Sequence, residues 1–131
     1  MFRLVKIIGT SSLSQEMVRL PNRNNVTFAP GSAITCSNGA LSCCAADVFP
    51  DYIFLKYATK NGSDVYCYPV TDNMVFKTEY ISSIPPKLGM AVGMSTSNGK
   101  SDRVTFNSNG KGIILEINSS EGIVYVKFRK K

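Results

Sequence analysis

The chain has 131 residues, of which 44% are hydrophobic and 18% charged, a balance that supports one folded domain and excludes intrinsic disorder. Fifteen Lys and Arg against nine Asp and Glu leave a formal charge of +6, and the chain contains no histidine. That absence removes the commonest general base and rules out Ser–His and Cys–His nucleophile systems.

No apolar run reaches the roughly 18–20 residues of a membrane helix. Arg3 and Lys6 interrupt the short apolar run at the N-terminus, whereas a signal peptide places its charges ahead of a longer one. A soluble protein made and kept in a cytoplasm is expected. From Ser11 to Asn25 the chain is polar and too long for a simple hairpin. Within it, Ser14 to Leu20 suits either a single helical turn capped by Ser14 and stopped by Pro21, or a short strand.

From Phe28 onward short apolar runs alternate with turn residues. Asn-Gly occurs at Asn38-Gly39, Asn61-Gly62, Asn98-Gly99 and Asn109-Gly110, and Glu121-Gly122 adds a fifth turn. Asn and Gly both tolerate positive φ, so each pair predicts a tight hairpin. Tyr52 to Ala58 is apolar on both faces apart from Lys56, which predicts a central or doubly covered strand. Pro69 cannot donate to a ladder, so the strand over 65–70 must be an edge there or carry a bulge.

Met74, Phe76, Thr78 and Tyr80 share one face of the next strand, with Lys77 and Glu79 on the other. Pro85-Pro86 stiffens an ordered loop that Gly89 turns into a further strand. Ile113, Leu115 and Ile117 alternate with Ile114 and Glu116. Val124, Val126 and Phe128 alternate with Tyr125, Lys127 and Arg129. About ten short strands at this spacing predict an all-β single domain over 1–131, a small barrel or sandwich with little helix. Residues 1–25 form its N-terminal strand and loop, a candidate partner-binding arm, and 127–131 a basic tail.

Reactive groups are sparse. Cys36, Cys43, Cys44 and Cys67 lack paired C-x-x-C spacing, so free thiols are expected rather than zinc or disulfides. Vicinal Cys43 and Cys44 read as small apolar side chains on opposite strand faces. Asp47 and Asp51, and Asp64 and Asp72, are spaced as turn-capping residues rather than as a catalytic pair. Gly110-Lys111-Gly112 lacks full phosphate-loop spacing. Tyr52, Phe54, Tyr57, Tyr66 and Tyr68 could form a base-stacking sheet. Only Lys56 lies among them, with Lys60 in the turn beyond, which favours packing in a core or interface. No enzyme, metal or cofactor is expected.

Taken in order, these segments resemble the head-decoration, or capsid cement, proteins of tailed bacteriophages. The resemblance is carried by Phe28-Ala29-Pro30-Gly31, Asn38-Gly39, Pro50-Asp51-Tyr52-Ile53, Tyr68-Pro69-Val70-Thr71 and Met74-Val75-Phe76. It continues through Leu88-Gly89-Met90-Ala91-Val92 and closes with Gly122 to Phe128. It spans about Phe2 to Phe128 and lies in order and spacing rather than in any single motif. Four cysteines and a basic balance depart from the family's usual pattern.

The resemblance implies a non-enzymatic protein on the outer surface of the virion, made in the bacterial host cytoplasm. It would bridge subunits of the major capsid protein as a homo-oligomer, with a trimer favoured. Two other readings stand beside it: an oligonucleotide-binding barrel for single strands, and another virion module of tail or baseplate. Position along the chain nominates partner-binding residues in three regions. They are Phe2, Arg3 and Val5 with Leu20, Pro21 and Arg23; Pro85 and Pro86; and Arg129 and Lys130.

Overall fold

Apolar residues at every second position leave most strands one face to bury, and the chain forms two antiparallel sheets in a sandwich-like arrangement with its main core between them. A computed structural model of the chain describes residues 1–9, 16–58 and 64–130. Its strands are β1 (Arg3–Ile7), β2 (Val18–Pro21), β3 (Ala33–Ser37), β4 (Ala40–Cys43), β5 (Tyr52–Tyr57) and β6 (Asp64–Pro69). They continue with β7 (Met74–Glu79), β8 (Ala91–Met94), β9 (Val104–Phe106), β10 (Gly112–Asn118) and β11 (Ile123–Phe128). No helix occurs among the described residues.

The first sheet has the order β1-β7-β11-β10-β8-β9 and the second β2-β6-β5-β3-β4. One isolated parallel bridge, Tyr80 to Val104, brings the chain after β7 back toward β9, short of a closed barrel. Of the two expected architectures, the sandwich is the one formed. The polar stretch after Ser11 is interrupted by strand β2, so the strand alternative holds for Val18–Pro21. The proposed Ser14 cap lies outside the described residues.

The main core lines the inner face of the first sheet. Met74, Phe76 and Thr78 are fully buried, as their shared face requires, and Val124, Val126 and Phe128 meet them. Phe128 is the hub of an aromatic cluster, with ring centroids 5.6 Å from Phe2 and 6.1 Å from Phe76. Ala33, Cys44, Ile53 and Val70 close this core from the second sheet.

A second cluster lies on the opposite face of that sheet, built from Phe28, Ile34, Leu41, Phe54, Val65 and Cys67. Successive residues therefore serve different cores, Ala33 and Ile53 one, Ile34 and Phe54 the other. This explains why β5 is apolar on both faces. Cys43 packs on the second cluster and Cys44 in the main core, so the vicinal thiols do face opposite ways. Tyr52, Phe54 and Tyr57 also belong to the second cluster, where the Phe28 amide donates to the Tyr57 hydroxyl at 2.6 Å.

The segment after β2 wraps this cluster. Asn24 Nδ2 donates to the Leu41 carbonyl at 2.7 Å and its Oδ1 accepts from the Leu41 amide at 3.4 Å. An asparagine three residues beyond one edge strand thus occupies the ladder position beside the other, which requires the second sheet to curl. Pro69 fits its place: β2 pairs with β6 only from Asp64 to Cys67, so the missing proline donor falls beyond that ladder.

The Asn-Gly pairs divide. Asn38 (φ 52°) and Gly39 (φ 79°) both take positive φ in the two-residue turn between β3 and β4, as predicted. Asn98-Gly99 lies in a longer loop between β8 and β9. Asn109-Gly110 is no hairpin, because β9 and β10 do not pair with each other. Glycine is required at 110 for another reason: a Cβ there would stand 2.1 Å from the Val92 carbonyl oxygen. Asn61-Gly62 and Lys60 lie outside the described residues.

Candidate interaction face

The outer face of the first sheet is formed by β1, β7, β11 and β10, and the ladder register fixes which side chains meet on it. Arg3 lies opposite Lys77, and Lys77 opposite Tyr125. In the next row Lys6 lies opposite Val75, and Val75 opposite Lys127. Directly opposed side chains on antiparallel strands have Cβ atoms about 4.5–5.5 Å apart, so Arg3 and Lys77 form a like-charge pair that opposes folding.

Two bulges shape the surface between the charges. One, between Leu4 and Lys6, sets Val5 beside Lys6; the other, between Ile114 and Glu116, exposes Leu115. Val5, Ile8, Val75 and Leu115 line one open groove of ≈ 350 Å³ with Lys6, Glu116 and Tyr125. A second hollow of ≈ 240 Å³, bordered by Arg3, Lys77, Glu79 and Glu121, shares Tyr125 as its wall. The half-buried tyrosine is a ridge between an apolar groove and a charged one.

The ion pairs among the described residues are the Met1 amine with Glu79 at 2.5 Å, Arg19 with Asp64 at 2.8 Å and Arg103 with Asp102 at 3.7 Å. Arg3, Lys6, Lys77 and Lys127 join none of them. The second sheet differs: its strand cations Arg19 and Lys56 both have partners, Asp64 and the Tyr66 ring 5.8 Å away.

The residues nominated from sequence do not converge. Arg3 and Val5 belong to this face. Phe2 does not: it is 3% exposed, edge-on to Phe76 and Phe128, because the inner face of the first sheet lacks an aromatic there without it. Leu20 is half-buried against the second cluster, while Pro21 and Arg23 are exposed at the edge of the second sheet. The expected tail over 127–131 starts too early, since Lys127 and Phe128 are ladder residues and Phe128 is core. Arg129 extends that ladder through its amide to the Lys111 carbonyl at 2.8 Å, and Lys130 lies 5.6 Å from the Phe49 ring.

Pro85 and Pro86 stand in a separate loop over 81–89 with exposed Ile81, Ile84 and Leu88. That loop is pinned by the Tyr80 hydroxyl donating to the Ile84 carbonyl at 2.5 Å and by the Gly89 amide to Ile114 at 2.8 Å. Lys6, Lys77, Leu115 and Tyr125 were not nominated. Alternation placed Tyr125 and Lys77 outward, but only the strand order brings them together.

Two of the four aspartates considered for chemistry have structural roles. Asp51 accepts from the Cys36 amide at 2.8 Å, and Asp64 holds Arg19. Burial pushes the Cys44 and Cys67 thiols up to about 12, with Asp51 adding to the effect at Cys44, and burial also raises Cys43. These thiols stay protonated at neutral pH and are poor nucleophiles. No group of three or more metal-ligating side chains occurs among the described residues, and among them there is no helix long and apolar enough to cross a membrane. Compared with known proteins, the chain matches no family model, no curated protein and no solved structure.

Proposed function

We propose that this chain is a non-enzymatic structural protein that binds the exterior of an expanded tailed-phage head and stabilises it by bridging major capsid protein subunits. The reading rests on the ordered series of motifs from Phe28 to Phe128 that resembles the head-decoration proteins. One feature of the fold supports it: four strands present Arg3, Lys6, Lys77 and Lys127, none of them in an ion pair among the described residues, on the same face as an apolar groove, a surface suited to another protein surface rather than to an enclosed small molecule.

As a homotrimer on the virion surface it would gain strength by multivalency, because linked modest contacts raise avidity by roughly 10²–10⁴ without new chemistry. Binding the assembled lattice more tightly than free subunits then stabilises the shell by linkage. No cofactor enters this role. The test is to mix purified protein with undecorated expanded heads and image them by electron cryomicroscopy. Extra density at symmetry-related positions on the shell is the expected result. Bare heads at saturating protein would overturn it.

A further inference from the structure

We propose that the outer face of β1, β7, β11 and β10 is the docking face, and that its occupant is a carboxylate-rich surface of a partner protein with an apolar residue at its centre. This rests on the structural-protein reading above and names the contact within it.

The charge pattern selects the occupant. Arg3 faces Lys77 across one ladder, and Lys6 and Lys127 flank Val75 in the next row, yet none of the four has an acidic partner among the described residues. Three carboxylates border the same hollows: Glu79 pairs with the Met1 amine, and Glu116 and Glu121 form no ion pair with any of the four among the described residues. Cations set directly opposite one another and outside any ion pair cost stability in the free chain, and an acidic partner removes that cost. The same charges oppose pairing of this face with itself in a second copy.

The groove selects protein over nucleic acid. Val5, Ile8 and Leu115 give its floor and walls an apolar character that a phosphate backbone does not use. Tyr125 is half-buried between the two hollows, which limits base stacking. An acidic protein edge presenting one Leu or Phe satisfies the cations and the groove together.

The experiment uses the full chain, ¹⁵N-labelled, titrated with poly-L-glutamate and separately with oligothymidylate of matched charge. Amide shifts from poly-L-glutamate concentrated at 3–6, 75–77 and 125–127, and lost at high salt, are expected. Lys77→Glu with Lys127→Glu weakens this binding by about tenfold per position, while the equally charged control Lys87→Glu with Lys100→Glu leaves it within about twofold. Shifts centred on the 81–89 loop or on Arg129 and Lys130, or equal losses in both double variants, overturn the inference. Tighter binding of oligothymidylate at the same residues overturns it in favour of nucleic acid. Bare heads with poly-L-glutamate still mapping to this face refute the capsid reading alone. Heads decorated equally by wild type and the Lys77/Lys127 variant refute the face alone.

Discussion

Replacing Phe2 by Ala separates a core role from a contact role, and the structure sets its size. The ring is 3% exposed, and its centroid lies 6.2 Å from Phe76 and 5.6 Å from Phe128, both fully buried. Truncating a buried Phe costs about 3–5 kcal/mol. Phe2 sits one residue before an edge strand, paired on one side only, where the backbone can relax into the space, so the low end of that range applies, about 3 kcal/mol. Unfolding entropy of ~2.1 cal/mol/K per residue, over 131 residues, converts this to a fall in Tm of roughly 11 °C. Differential scanning calorimetry reads the shift directly, and Phe2→Leu should recover more than half of it. A fall below about 3 °C for the Ala variant would mean that the ring is not part of the core, and the N-terminal contact reading would return.

Other outcomes follow from single contacts. Gly110→Ala drives a Cβ to 2.1 Å from the Val92 carbonyl oxygen and should cost about 3 kcal/mol in urea denaturation, whereas Gly99→Ala, strained only by φ +71°, should cost about 1. Asn24→Ala removes both bonds to the Leu41 backbone; a loss of about 1–2 kcal/mol with faster hydrogen exchange at the Leu41 amide is expected, and unchanged exchange would show that the edge is not closed there. A thiol reagent at neutral pH should modify exposed Cys36 first and reach Cys44 and Cys67 only after denaturation; rapid labelling of either buried thiol contradicts the packing. Because Cys44 and Cys67 keep their protons up to about 12 when folded, while unfolded thiols ionise near 9, the native state binds more protons across that interval. Stability therefore falls as pH rises from about 9 toward 12, and Cys44→Ala with Cys67→Ala should flatten that fall.

Local chemistry made most strands readable. Val124, Val126 and Phe128 alternate cleanly, and all three are core. The same rule failed at Ile113, Leu115 and Ile117, expected on one face. A bulge between Ile114 and Glu116 changes the parity, so Leu115 is exposed while Ile117 packs on the core. A period of two carries no mark of an extra residue. The interaction face was hidden for a different reason. Arg3 and Lys77 are far apart in sequence and meet only because β1 pairs with β7 in a given register, and register is set by the whole sheet. Phe2 misled because an apolar residue next to a chain end carries no sign of whether the body folds over it.

The two clusters on either side of the second sheet give the molecule unequal cohesion. Strands β2 and β4 are held by the smaller cluster and by side-chain stitches such as Asn24, whereas β7, β10 and β11 share the large aromatic core. Strands β2 and β4 can therefore open locally while the first sheet stays folded, at less than the global unfolding free energy. Any surface carried by the first sheet is then mounted on the last part of the chain to melt, and a load on that surface is borne by its most durable layer.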